Sequence, residues 1–259
     1  MHSDWLTPAW PAPARVRAIC TTRQGGVSLP PYDSFNLGDH VGDDPASVAR
    51  NRKLLVDGLD ARPVFLQQVH STGVVRLDAK TPDATTGDAC VTTEPGLACT
   101  IMVADCLPVL FTDTQGRAVA AAHAGWRGLA GTSGRGILEA ACEAFWSSLA
   151  APCEQAGRET LVWLGPCIGP EAFEVGDEVR QAFASQDDAA ASMFRPHAPG
   201  KWLADLQGLA RLRLEALGVT RIAGNDGSRE WCTVANPSRF FSHRRDRISG
   251  RFAASIHLV

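Results

Sequence analysis

Three short segments place a side chain able to hold a metal beside a run of apolar residues. They are Gln67-Gln68-Val69-His70-Ser71, Ala104-Asp105-Cys106-Leu107-Pro108 and Ala122-His123-Ala124-Gly125-Trp126-Arg127-Gly128. Strand ends hold side chains rigidly, and the adjoining loops leave room for a substrate. Pro108 helps fix the chain just after Cys106, and Gly125 lets backbone approach closely beside His123. Two imidazoles and one thiolate suit a borderline metal such as zinc. Three protein ligands leave a fourth position for water or substrate, the catalytic rather than the structural pattern. The separations fit no short zinc motif, so on residue types alone a buried thiol and two satisfied core histidines remain a competing reading.

The elements that must position these residues follow from apolar periodicity. Residues 16–22 read as a first strand that ends at the turn-forming Gly25-Gly26. Asp44-Pro45 opens a helix running to Leu59, with Asp as N-cap and Pro at the first helical position. Residues 63–67 and 73–77 read as short strands on either side of His70. Residues 98–103, 108–112 and 117–122 are nearly continuous apolar runs, as expected of strands covered on both faces. Asp113-Thr114-Gln115-Gly116 supplies a turn between the last two. Farther on, 132–149 reads as a helix with Ile137, Leu138, Ala141 and Phe145 on one face. Residues 160–164 read as a strand, 176–184 and 203–217 as helices, and 251–259 as a closing strand.

This is an α/β (α+β) pattern. The expectation is a single domain, residues 1–259, with a large mixed β-sheet covered by helices. The strand-rich middle argues against a regular βαβ winding. Residues 1–15, rich in Pro and Trp, read as a loosely ordered N-terminal segment.

A formal net charge of −3 over 259 residues exerts no long-range pull toward nucleic acid or an anionic membrane. No apolar run nears the roughly 18–20 residues that span a bilayer. The N-terminus lacks the basic start and apolar stretch of a secretory signal. The expectation is a cytoplasmic protein that binds neither nucleic acid nor membrane. Its 8 cysteines include no CxxC pair and read as reduced thiols, most of them small buried hydrophobes.

Longer motifs extend the pattern. They include Thr21-Thr22-Arg23-Gln24-Gly25-Gly26-Val27-Ser28, Phe35-Asn36-Leu37-Gly38, Val41-Gly42-Asp43-Asp44, Gly165-Pro166-Cys167-Ile168-Gly169 and Phe240-Phe241-Ser242-His243-Arg244-Arg245, ending near Gly250-Arg251. Together with the three metal-competent segments, they make the chain from residue 16 to 259 resemble the YfiH-like, or DUF152, family. Its members carry the names polyphenol oxidase (laccase) and purine nucleoside phosphorylase, and related proteins are linked to peptidoglycan editing. The resemblance implies a YfiH-like fold and a zinc enzyme with His70, Cys106 and His123 as metal ligands and catalytic centre. It also implies action on purine nucleosides and phosphate: phosphorolysis of adenosine, inosine and S-methyl-5'-thioadenosine, and deamination of adenosine.

The residues bear on these activities unequally. A multicopper oxidase holds several coppers with many histidines, typically in His-x-His pairs; this chain has 7 histidines and no such pair. A blue-copper site wants Cys, His and Met close together in one loop, whereas Met102 precedes Cys106 within a strand. Copper displacing zinc at the same N/S site can still lend some oxidase activity. Deamination by a metal-activated water suits the ligand set, although the His-x-Glu and Pro-Cys-x-x-Cys signature of cytidine deaminases is missing.

Phosphorolysis needs a phosphate site. With no Gly-x-x-x-x-Gly-Lys loop, that work falls to arginines, whose planar fork suits phosphate oxygens. Arg23, Arg127, Arg244 and Arg245 lie within the shared motifs and are the candidates, set against structural ion pairs or exposed charges. Asn36 is a candidate reader of a ribose or base edge, or else a turn cap. Two other classes stay open. One is a metal-free cysteine hydrolase with Cys106 as nucleophile and His123 or His70 as base, suited to amide cleavage in wrongly built peptidoglycan precursors. The other is a non-catalytic protein holding structural zinc, for which no fourth ligand is evident, Asp105 pointing the other way at its strand end.

Overall fold

A computed structural model describes residues 3–149 and 153–259. The chain runs β1 (Val16–Cys20), α1 (Pro45–Leu59), β2 (Arg62–Phe65), β3 (Val74–Arg76), β4 (Ala89–Thr92), β5 (Leu97–Val103), β6 (Leu107–Asp113) and β7 (Val119–Ala124). It continues through α2 (Trp126–Ala130), α3 (Ile137–Leu149), α4 (Cys153–Glu159), β8 (Thr160–Leu164), β9 (Glu174–Gly176) and α5 (Asp177–Ala184). The last elements are β10 (Phe194–Ala198), β11 (Lys201–Ala204), α6 (Leu206–Ala216), β12 (Arg221–Gly224), α7 (His243–Asp246) and β13 (Phe252–Leu258).

The large mixed sheet is six-stranded, in the order β12-β8-β6-β7-β4-β3. A four-stranded sheet, β1-β13-β5-β2, packs on one of its faces. The sequence reading merges these two sheets, because a continuous apolar run does not say which strand it pairs with. Side-chain alternation explains the stacking. Leu110 and Ala121 face Cys99, Ile101 and Ile256 between the sheets. Their neighbours Val109, Phe111, Ala120 and Ala122 face the opposite way, onto Leu138, Ala141, Cys142 and Phe145 of α3. On the far side of the smaller sheet, Ile19, Ala98 and Ala253 pack against Leu55 and Leu59 of α1. The inner strands β5, β6, β7, β8 and β13 are buried along their whole length because both faces are covered.

Helix α1 begins as the sequence requires: the Asp44 carboxylate accepts from the Ser47 N–H at 2.9 Å, and Pro45 is the first helical residue. Two other helices start later than expected. Helix α3 opens at Ile137 rather than near 132, because Thr132 and Arg135 close a tight turn through Gly134 (φ +78°). Helix α6 opens at Leu206 because the Asp205 carboxylate caps the Gly208 N–H at 2.6 Å. Residues 203 and 204 belong instead to the hairpin β10–β11, part of a three-stranded sheet β10-β11-β9 whose exposed strand β10 shows no alternation. From residue 3 onward the N-terminal segment is docked rather than loose. Leu6 exchanges two backbone hydrogen bonds with Cys20, each 2.8 Å, and Trp5 is buried against Phe35.

Candidate metal centre

His70 lies in the loop between β2 and β3, in a left-handed conformation (φ +60°) unusual for a residue with a side chain. A buried carboxylate accounts for it. Asp88 accepts the backbone N–H groups of Val69 (3.2 Å), His70 (2.9 Å) and Ser71 (2.6 Å), together with the Ser71 hydroxyl (2.8 Å). Successive N–H groups converging on one anion require such a backbone. The same carboxylate meets Nδ1 of His123 at 2.9 Å, so a single residue sets both histidines.

His123 is the penultimate residue of β7 and follows Val119 and Ala121 with period two, which aims it into the seam between the two sheets. Cys106 occupies the link between β5 and β6. Its neighbour Asp105 (φ +90°) turns away, accepting from the Thr233 hydroxyl at 2.5 Å and from the Arg244 N–H at 2.7 Å. Asp105 is therefore an anchor for the C-terminal loops, not a fourth ligand.

The donor atoms of His70, Cys106 and His123 lie within 4.8 Å of one another, with Cys106 Sγ 3.7 Å from His70 Nε2. Gly125 borders this space. A Cβ there would stand 2.8 Å from His70 Cδ2 and 3.0 Å from Cys106 Sγ. Two nitrogens, one sulfur, an ordering carboxylate and room between them fit a zinc-like ion.

Without a metal, electrostatics favour a charged pair, a Cys106 thiolate beside a protonated His123 that must release a proton before it can ligate. Burial opposes ionisation of Cys106, but the charge and hydrogen bonds of His123 and His70 outweigh it and bring the thiol down to about 6. Burial likewise opposes a charged His123, while the Cys106 sulfur and the Asp88 carboxylate hold its proton on and raise its pKa. Asp88 falls to about 2, because bonds from His123 and Ser71 overcome the cost of burying it.

The trio lines a cavity of about 380 Å³ with apolar walls that include Leu66, Met102, Ile168 and Phe173. Of the phosphate candidates, Arg127 and Arg244 line it. Arg23 does not: it pairs with Asp33 at 3.1 Å and donates to the Pro237 carbonyl. Arg245 is spent on the carbonyls of Thr233 and Phe240 and on Asp246. Asn36 is fully buried and bridges Gly38, Asp43 and Arg251, away from the cavity. Sequence reasoning passes over Asp88, His40 and Arg247, and gives His243 and Arg251 no role of their own. An acid directly before an apolar strand, as in Gly87-Asp88-Ala89, is the one signal that could have exposed Asp88.

No described helix is long and apolar enough to cross a membrane, and Cys20, Cys90, Cys99, Cys106, Cys142, Cys167 and Cys232 are free thiols. Residues 17–259 match the family model described as multi-copper polyphenol oxidoreductase laccase. Purine nucleoside phosphorylase PA4543 of Pseudomonas aeruginosa is 52% identical over 255 residues, covering 98% of each chain. Purine nucleoside phosphorylase YfiH of Escherichia coli K12 is 46% identical, over 99% of this chain and 100% of its own. The crystal structure of Neisseria meningitidis protein NMB0706, family-model DUF152, superposes with a TM-score of 0.87 at 46% identity, over 99% of both chains.

Proposed function

The chain belongs to the YfiH (DUF152) family that the laccase-type model describes, and we propose that it is a purine nucleoside phosphorylase dependent on zinc held by His70, Cys106 and His123. The observation that supports this best is the meeting of three metal-competent side chains, remote in sequence, on the wall of one cavity with arginines around it. The names borne by similar relatives, purine nucleoside phosphorylase, support the phosphorolysis part of this reading.

Zinc in this position supplies a Lewis acid that stabilises negative charge and lowers the pKa of bound water. The chain's own groups do the rest. Asp88 keeps the His123 proton on Nδ1, so the other ring nitrogen presents its lone pair to the centre. Cys106 enters as a thiolate near neutral pH. Trp126 and Phe173 line the cavity and offer faces for a purine to stack on. Guanidinium groups of the cavity donate to phosphate oxygens as phosphate attacks ribose C1′ and the base leaves. In this reading adenosine, inosine and S-methyl-5'-thioadenosine are the nucleosides, adenosine is also deaminated, and the enzyme works in the cytoplasm. Copper at the same N/S site is the route to the oxidase activity in the family's description.

The test is to incubate the purified protein with each nucleoside, with and without phosphate. Release of free base with ribose 1-phosphate, only when phosphate is present, is the expected result. No base release from the zinc-loaded protein overturns the proposal.

One observation favours a second reading. Cys106, His123 and Asp88 stand in the order nucleophile, base, orienting carboxylate, with the thiol brought down to about 6. Amide-cleaving activity that survives chelators and dies on alkylation would favour a cysteine hydrolase editing peptidoglycan precursors.

A further inference from the structure

Arg251 is held at its backbone, along its stem and at one guanidinium nitrogen. Its backbone N–H donates to the Asn36 Oδ1 at 2.8 Å, and its carbonyl accepts from the Leu37 N–H at 3.0 Å. Asn36 itself cannot swing, because its Nδ2 donates to the Gly38 carbonyl at 3.0 Å and to Asp43 at 2.9 Å. The aliphatic stem of Arg251 then lies across Gly38. A Cβ there would stand 2.8 Å from Arg251 Cγ and 3.2 Å from its Cβ. At the far end, Nη1 donates to the carbonyls of Ser249 (2.9 Å) and Gly250 (3.0 Å).

What remains is a guanidinium edge. Among the described residues, Nε and Nη2 of Arg251 have no protein acceptor, and no carboxylate forms an ion pair with it. Arg251 nevertheless lines the cavity with His70, Cys106 and His123. Burial works against its charge, and the charges of Cys106 and Asp105 lie close enough to favour it. A half-buried guanidinium without a counter-ion is stabilised when an anion arrives to complete it. Nε and Nη2 form the side of the fork that binds a tetrahedral oxyanion in two parallel hydrogen bonds. The other arginines of the cavity are placed differently: Arg127 and Arg247 are exposed, Arg127 lying over the Trp126 ring, and Arg244, whose Nη1 likewise donates to a carbonyl, lies over the Phe173 ring.

We propose that Arg251 binds the phosphate co-substrate beside the metal centre, and that Asn36 and Gly38 serve to aim it. The proposal rests on the phosphorolysis reading for its biological sense. It also gives the Phe35-Asn36-Leu37-Gly38 and Gly250-Arg251 motifs one shared task, although they lie at opposite ends of the chain.

The test is calorimetric titration of the zinc-loaded protein with inorganic phosphate, without nucleoside, for wild type, Arg251→Gln, Arg251→Lys and Gly38→Ala. Zinc content and melting temperature are checked for each. Arg251→Gln should weaken phosphate binding by about 10- to 100-fold, the usual range for a charge-assisted pair. Arg251→Lys should recover part of that loss, since it keeps the charge without the fork. Gly38→Ala, which does not line the cavity, should weaken phosphate binding by displacing the Arg251 stem, and it carries the test if Arg251→Gln does not fold. Unchanged phosphate affinity in folded Arg251→Gln or Gly38→Ala, or no phosphate binding by wild type, overturns the assignment. Wild type that binds phosphate through Arg251 yet turns over no nucleoside overturns only the phosphorolysis reading. Turnover with an unaltered phosphate KM in Arg251→Gln overturns only the role of Arg251.

Discussion

Asp88→Asn exchanges one carboxylate oxygen for an amide and leaves the shape of the side chain unchanged, so its effects report on hydrogen bonding alone. Asp88 is fully buried. Oδ2 faces the N–H groups of Val69 and Ser71 and the Ser71 hydroxyl, while Oδ1 faces the His70 N–H and His123 Nδ1. Placing the new amide nitrogen at Oδ1 conflicts with fewer donors, because His123 can respond by accepting at Nδ1. That response moves its proton to Nε2 and removes the lone pair a metal needs. The His70 N–H is left opposite another N–H, at about 1–3 kcal/mol, and loss of charge on the remaining bonds adds about 1 kcal/mol. The sum, about 2–4 kcal/mol, lowers the Tm by about 5–15 °C for a chain of this size. Zinc affinity falls by about 10- to 100-fold. Competition titration of the metal-free variant against a chromophoric chelator measures the affinity, and calorimetry the Tm. An Asp88→Asn protein that holds zinc as tightly as wild type and melts at the same temperature refutes the reasoning.

Other outcomes follow from the same geometry. Gly125→Ala should lower zinc affinity at least about tenfold while its circular dichroism stays that of wild type, because the atoms nearest the added methyl belong to the His70 and Cys106 side chains. In the metal-free protein the alkylation rate of Cys106 should climb through about pH 6 and level off by neutrality, and stoichiometric zinc should suppress it; a midpoint in the ordinary thiol range contradicts the thiolate assignment. With its carboxyl brought from 3.8 to about 2, Asp88 stabilises the fold fully above about pH 4 and loses that contribution as the pH falls toward 2. Urea titrations should therefore show metal-free wild type losing more stability over that window than Asp88→Asn. Arg245→Ala should reduce the Tm and leave the zinc content intact, since Arg245 holds the carbonyls of Thr233 and Phe240 and does not line the cavity.

Cys106 and His123 were legible as residues at the ends of apolar strands, whereas His70 stands in the loop between β2 and β3, and it was the resemblance of the longer motifs that grouped the three. Helix α1 was legible down to its first residue because Asp44-Pro45 acts locally. The division into two stacked sheets was not, since strand partners depend on contacts remote in sequence. Asn36 shows a different limit. Its buried amide supports Arg251 from 215 positions away, so type and motif pointed to a functional neighbourhood but not to the role. Arg23 and Arg245 lie in motifs as extended as that of Arg244, yet their guanidinium groups are used up by backbone carbonyls and carboxylates. Nothing in a linear sequence separates an arginine with satisfied donors from one that faces a cavity. The left-handed turn at His70 was hidden for a related reason: its cause, Asp88, lies 18 positions away.

The central claim is that His70, Cys106 and His123 form a catalytic zinc centre. Elemental analysis of purified wild type and Cys106→Ala, each assayed with inosine and phosphate, tests it most directly. The expected result is about one zinc per chain in wild type, lost in the variant together with phosphate-dependent release of hypoxanthine. Wild type that releases hypoxanthine while free of metal, or a Cys106→Ala protein that keeps both zinc and activity, contradicts the account.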